Sequence, residues 1–256
     1  MKIWGLGILG MVATVSAHAT WTPEPEKNLG ELPGSVMAWE RTVKQGDRSV
    51  QLSGVSFDTK NCELQVLDNP PEARQPLTVA MKAAGAVAGV NGGYFHPDDR
   101  PLGLVVAGGK TLHGFERAKL LSGIFMVRDG RASLVRSEKF SPLPPIKEAL
   151  QAGPWLVEDG KPVSGLQAGR LARRTVVARV GRSRWVLLVT SPVTLAELGE
   201  ILVVPGVLGE GSVADALNLD GGSSSLLVAS KEGRALLDIP SFGSVRNYLA
   251  IVPRRR

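Results

Sequence analysis

The chain is dominated by short apolar runs separated by turn residues, at 50–57, 62–67, 85–90, 102–107, 124–127, 155–157, 175–180, 185–189, 216–219, 226–229 and 248–252. Runs of this length, bounded by Gly, Pro, Asn and Asp, read as strands. Helical periodicity is scarcer. Thr194-Leu195-Ala196-Glu197 is a capping box, in which the Thr194 hydroxyl accepts from the Glu197 amide and the Glu197 carboxylate reaches back. Leu195, Leu198, Ile201 and Leu202 then share one face, and Pro205-Gly206 stops the helix. A second helix is expected over 77–84, ending near Gly85. The pattern predicts an α+β fold with strand-rich mixed sheets and a few packed helices. Pro23, Pro25 and Pro33 mark 20–35 as an extended N-terminal leader, so that a single globular domain occupies 36–256. Pro142, Pro144 and Pro145 mark an irregular connection, and two closely packed lobes dividing near 141–150 are the alternative to one undivided body.

The first nineteen residues have the form of a signal peptide. Lys2 is positive, 3–15 is apolar, and Ala17-His18-Ala19 is a small-x-small cleavage site. Those thirteen residues fall short of the roughly 20 needed to span a bilayer, so no stable membrane span is expected after cleavage. Cys62 is the only cysteine, which excludes an internal disulfide and points to a periplasmic or secreted protein standing on its core alone. It reads as a small buried side chain on a strand. Removing Lys2 from 30 basic against 24 acidic residues leaves a net charge of +5, scattered except for Arg254-Arg255-Arg256 at the tail. With aromatics at only 5%, a nucleic-acid face is excluded.

Two glycine motifs follow apolar strands. Asn91-Gly92-Gly93-Tyr94-Phe95 contains an Asn-Gly turn step, and its plain reading is a hairpin. The second glycine and the two aromatics, which could form one wall of a sugar pocket, give a binding role equal weight. Asn218-Leu219-Asp220-Gly221-Gly222-Ser223-Ser224 repeats the design, and strand alternation puts Asn218 and Asp220 on one face. Adjacent glycines expose backbone amides, and hydroxyls follow, which suits an anionic or polyhydroxylated ligand. Two other chemistries fail on spacing. The run ending in Gly109-Lys110-Thr111 has Leu104 where a P-loop needs its first glycine, so Gly108-Gly109 reads as a hairpin turn. Gly-x-Ser-x-Gly is absent and no histidine follows His113, which removes an α/β-hydrolase triad. Asp98 and Asp99 read as a solvated loop. No cofactor is required by the sequence. Asp220, Asn218 and Asn91 are oxygen donors that could hold a divalent cation, but no ligand spacing compels one.

These landmarks, in order, make the chain resemble the phosphodiester glycosidase family. They are Asn91 to Phe95, Pro101 to Val106, Ala152 to Val157, Arg173-Arg174-Thr175, the Thr194 helix, Ala216 to Leu227, and Arg246-Asn247. The family usually carries a third glycine where this chain has Ser223. The resemblance implies a hydrolase cleaving the bond between a sugar's anomeric carbon and a phosphodiester oxygen, in an exported glycan or anionic envelope polymer. A phosphate leaves more easily than an alkoxide, so such a site needs less acid catalysis and more positive charge at the phosphate. Arg174 and Arg246 are then assigned to the phosphate, with Arg173 able to exchange with Arg174, and Asp220 to the sugar side. Asn91, Gly92, Gly93, Tyr94, Phe95, Asn218, Gly221, Gly222, Ser223 and Ser224 are the expected substrate contacts. A non-catalytic envelope protein binding glycan in the same cleft is the alternative, and a protein using both glycine motifs only as hairpins is a third.

Overall fold

The structure, a computed structural model, describes residues 20–143 and 145–254. The signal reading on 1–19, Pro144, and the last two tail arginines lie outside the described residues. The largest sheet runs in the order Thr22–Pro23, Val36–Gln45, Arg48–Asp58, Arg184–Thr190, Thr175–Val180, Val213–Asn218, Trp155–Glu158, Lys161–Pro162. Lys27–Leu32 also pairs with Val36–Gln45. One five-stranded sheet has the order Arg131–Arg136, Gly123–Arg128, Ile146–Ala152, Val105–Ala107, Lys110–His113. The other has the order Arg234–Ile239, Leu227–Lys231, Ala88–Asn91, Asn247–Pro253, Cys62–Asp68. The chain is therefore strand-rich α+β as expected, and within that class the registered strand pairs are all antiparallel rather than mixed.

Strand alternation explains the layering. In the central strands of the large sheet, Val55, Phe57, Val177, Trp185, Leu187 and Leu217 point to one side. There they meet Phe125 and Leu150 of one small sheet and Leu64, Val90, Leu227 and Leu249 of the other. Val50, Leu52, Val176, Val186, Leu188 and Ala216 point to the opposite side, where helix Leu195–Leu202 buries Leu198, Ile201 and Leu202. Both faces are thus covered, which is why 175–180 and 185–189 read as continuous apolar runs. Helix Leu77–Ala84 lays Leu77, Ala80 and Met81 on Leu226, Val228 and Tyr248. It ends where Gly85 turns left-handed at φ 67° and the Ala86 amide bonds the Met81 carbonyl at 2.9 Å. The capping box at Thr194 forms as expected, and the Gly108-Gly109 turn joins two paired strands.

Two boundary readings differ from the structure. Residues 20–35 are extended, but they belong to the large sheet: Trp21 and Leu32 are buried, because two edge strands close the flank of Val36–Gln45. The prolines sit there without disrupting an interior ladder. The interval 141–150 does not part the molecule either. Ile146–Ala152 is the middle strand of its sheet, and the core of 36–152 is continuous with that of 155–251. Cys62 is buried on a strand as expected, its Sγ 3.4 Å from the Gly34 carbonyl, and burial pushes its thiol up to about 11. Among the described residues no helix is long and apolar enough to cross a membrane.

Candidate active site

Antiparallel pairing brings strand ends from two sheets to one place. Asn91 ends its strand opposite Tyr248, and Asn247 stands opposite Asp68. In the large sheet Asn218 ends its strand opposite Val176, next to Thr175. Asn91 stitches the two sheets together. Its Nδ2 donates to the Asp220 carbonyl at 2.7 Å, while its Oδ1 accepts from the Thr175 hydroxyl at 2.7 Å and the Leu226 amide at 3.1 Å. The Asp220 amide in turn donates to the Gly92 carbonyl at 3.0 Å. Both glycine motifs therefore belong to one hydrogen-bonded floor, and the Asn91 side-chain oxygen is taken up by Thr175 and Leu226.

The expected hairpin at Asn91-Gly92 is not formed, and neither Gly92 nor Gly93 has a positive φ. Their glycines serve close approach instead. A Cβ on Gly92 would stand 2.0 Å from Asn247 Oδ1, the atom that accepts the Gly93 amide at 2.8 Å. The chain reverses later, with the His96 amide on the Arg100 carbonyl and a Phe95–Pro101 bridge. Asp98 and Asp99 lie in that turn, as a loop, and Asp99 pairs with Arg74 at 2.6 Å. Phe95 is half-buried beside it. Tyr94 faces the other way: its hydroxyl donates to the Gly153 carbonyl and accepts from Asn218 Nδ2 at 3.1 Å.

Asp220-Gly221 is likewise no two-residue turn. Gly221 is extended, and its missing side chain leaves room for the Arg173 carbonyl, 3.0 Å from where a Cβ would be. Gly222 is the residue that needs a left-handed backbone, at φ 65°, and opens a short 3₁₀ turn through Ser223 and Ser224. Ser223 takes an ordinary φ and is exposed, so a serine fits where the family usually has glycine. Its carbonyl accepts the amides of Phe242 at 2.7 Å and Gly243 at 3.1 Å.

Asp220 sits deep in this arrangement. Burial raises its carboxyl above the usual carboxylate range, against hydrogen bonds from Ser224 and from the Gly221 amide, the latter at 2.8 Å from Oδ1. Burial raises the Tyr94 phenol too. The Asp220 charge raises it further, opposed by the Asn218 hydrogen bond and the Arg174 charge. The Tyr94 phenol is thus an electrostatic neighbour of both Asp220 and Arg174. Arg174 donates to the carbonyls of Val193 at 3.1 Å and Arg170 at 2.8 Å. Among the described residues no carboxylate comes within 4.0 Å of Arg174 or Arg173. Desolvation lowers both guanidinium pKa values, yet an arginine stays charged at neutral pH. A buried cation without an anion is a binding opportunity for one.

Arg246 differs from Arg174, because its guanidinium pairs with Asp68. Its contribution to the floor comes through its neighbour Asn247, whose backbone carbonyl and side chain hold Gly92 and Gly93. Arg173 points away from Arg174, donating to the carbonyls of Pro240 at 3.0 Å and Ser225 at 2.7 Å. Asn218 Oδ1, Ser225 Oγ and Asn247 Nδ2 are buried with hydrogen-bonding capacity not spent on protein. Among the described residues no three His, Cys, Asp or Glu side chains gather as metal ligands. Gly153 and Val193, which supply carbonyls here, and Thr190, whose hydroxyl accepts the Arg174 amide at 3.2 Å, carry no chemical signal in the sequence.

A half-buried carboxylate beside a phenol and an uncompensated arginine, at the joined ends of two sheets, defines a site suited to anionic, hydroxylated substrates. The model of the phosphodiester glycosidase family matches residues 84–252, which contain every one of these groups. The chain belongs to that family and is an enzyme, a hydrolase of the glycosidase type. In fold it is similar to the catalytic domain of zebrafish N-acetylglucosamine-1-phosphodiester alpha-N-acetylglucosaminidase, at 15% identity and TM-score 0.58 over 93% of this chain and 85% of that one. It is also similar to a hypothetical protein from Synechocystis, at 17% identity and TM-score 0.59 over 90% of this chain and 64% of that one. A protein of Burkholderia pseudomallei matches at 14% identity and TM-score 0.55, over 80% of this chain and 74% of that one. A search of curated protein sequences finds no match.

Proposed function

We propose that the enzyme hydrolyses the bond between a sugar's anomeric carbon and a phosphodiester oxygen, at the site formed by Asp220, Tyr94 and Arg174. The observation that carries this reading is the uncompensated, desolvated Arg174 and the half-buried Asp220, both acting on the Tyr94 phenol. Water adds across the bond: its oxygen joins the anomeric carbon, the C–O bond to phosphate breaks, and the bonding pair leaves on the phosphate as a phosphomonoester. Arg174 meets the charge that grows on the departing phosphate. Arg246 adds less to that potential, since Asp68 already meets its charge. Asp220 serves the sugar side, orienting hydroxyls, stabilising oxocarbenium character or activating the water. Asn91, Gly92, Gly93 and Asn218 hold this geometry, while Tyr94, Phe95 and the 221–224 turn meet substrate. The substrate is an exported glycan or anionic envelope polymer, and the signal-like residues 1–19 direct the enzyme to the periplasm or beyond.

The test is hydrolysis of defined sugar 1-phosphodiesters in oxygen-18 water. The expected products are free sugar carrying the label and unlabelled phosphomonoester, with turnover lost in Asp220→Asn and lowered about a hundredfold or more in Arg174→Gln. Label in the phosphate, or full activity in Asp220→Asn, overturns the reading.

A further inference from the structure

One large hydrophobic side chain near this site is displayed rather than buried. Phe242 is 79% exposed, although the segment carrying it is firmly tied down. Its own amide and that of Gly243 both bond the carbonyl of Ser223, three residues past Asp220. Gly243 permits this contact, because a Cβ there would crowd the Ser223 side chain at 3.1 Å. From the other side Arg173 staples the two segments together, one nitrogen on the Pro240 carbonyl and another on the Ser225 carbonyl. Its guanidinium then lies under the Phe242 ring, 5.1 Å from the centroid. The ring is thus held from below by a cation and turned outward at its other face.

We propose that Phe242 is a stacking platform for a pyranose ring of the substrate, on the leaving-group side of the phosphate; this rests on the function proposed above. Phenyl alone has no hydrogen-bonding group, so exposing it in a fixed pose gains nothing from water. The apolar C–H face of a sugar is the ligand chemistry that such a ring recognises, and one pre-ordered aromatic loses little conformational freedom on binding. Depth assigns the side. Asp220 and Tyr94 are half-buried whereas Phe242 is 79% exposed, so the sugar whose bond breaks occupies the inner position. What projects outward, toward the exposed Phe242 ring held on the Ser223 carbonyl, is the part beyond the phosphate. Among the described residues the other exposed large hydrophobics, Val79, Leu120, Leu143 and Leu171, are aliphatic and offer no ring face.

Two substrates separate this proposal from its premise. One is a hexose 1-phosphodiester whose other ester is methyl, and the other carries a second hexose in place of the methyl. For Phe242→Ala and Phe242→Leu, the KM for the two-sugar substrate rises about five- to tenfold relative to that for the methyl ester, and Phe242→Trp restores it. An unchanged KM ratio in correctly melting Ala and Leu variants overturns the platform while leaving the hydrolase reading intact. If the wild type hydrolyses neither substrate, that reading fails instead. Calorimetric binding of the two-sugar compound then decides for Phe242: a five- to tenfold weaker Kd in Phe242→Ala supports it, and an equal Kd overturns it.

Discussion

Asp220 carries opposite consequences for activity and stability. Burial raises its carboxyl pKa, so its ionised form favours the unfolded chain, and folding loses free energy as pH climbs from the unfolded value, about 4, through the folded one. The penalty is complete above that window. Asparagine has no charge to desolvate, so Asp220→Asn is expected to melt a few degrees above the wild type at pH 7, with the gain vanishing below about pH 4, as a pH series of thermal melts would read. A variant that melts lower at pH 7 contradicts the burial argument. The two glycine motifs stood out in the sequence and the structure joins them, but their mechanics were not legible. Gly92 is required by the approach of Asn247 and Gly222 by its positive φ, whereas the Asn-Gly and Asp-Gly steps led to the expectation of hairpins. Gly92→Ala should therefore cost about 1–3 kcal/mol through forced displacement of the floor. Gly222→Ala, with open space around it, should cost about 1–2 kcal/mol from backbone strain alone, both read from urea denaturation.

At the scale of elements, the helix after Thr194 ties stability to the site. The Val193 carbonyl accepts both the Ala172 amide, at 3.3 Å, and Arg174 Nε, so the cap fixes the segment on which the uncompensated arginine rests. Thr194 Oγ1 accepts the Glu197 amide at 3.2 Å, and Glu197 returns a bond to the Thr194 amide at 3.1 Å. Thr194→Ala is expected to destabilise the fold by about 1 kcal/mol in denaturant titrations. This helix was readable because its signals are local: a four-residue box and one apolar face. Ile146–Ala152 was not readable, because Lys147, Glu148, Ala149 and Leu150 suit a helix, and only pairing on both edges makes them a strand. Glu148 exists buried in that strand because it caps the amides of Val66, at 3.0 Å, and Gly108, at 3.2 Å, and its carboxyl pKa is raised by the burial.

Over the whole molecule, stability rests on the layer between the large sheet and the two small ones. Trp185 spans that layer, edge-on to Phe125 at 6.1 Å between ring centroids. With no disulfide to hold the chain, Trp185→Ala should cost about 3–5 kcal/mol, a loss that equilibrium unfolding would register as a much lower midpoint. The sequence by itself determined the strand-rich class, both helices, the Thr194 capping box, the Gly85 end and the burial of Cys62, since each depends on short-range pattern or side-chain chemistry. Only the tertiary structure decided that 20–35 completes a sheet and that 141–150 divides nothing, because strand pairing is a non-local choice. It also decided which of three arginines meets a carboxylate: Asp68 stands beside Arg246, whereas Arg173 lies under the Phe242 ring and Arg174 bonds only backbone carbonyls. Electrostatic compensation acts through space between segments far apart in the chain, so no reading of neighbouring residues contains it.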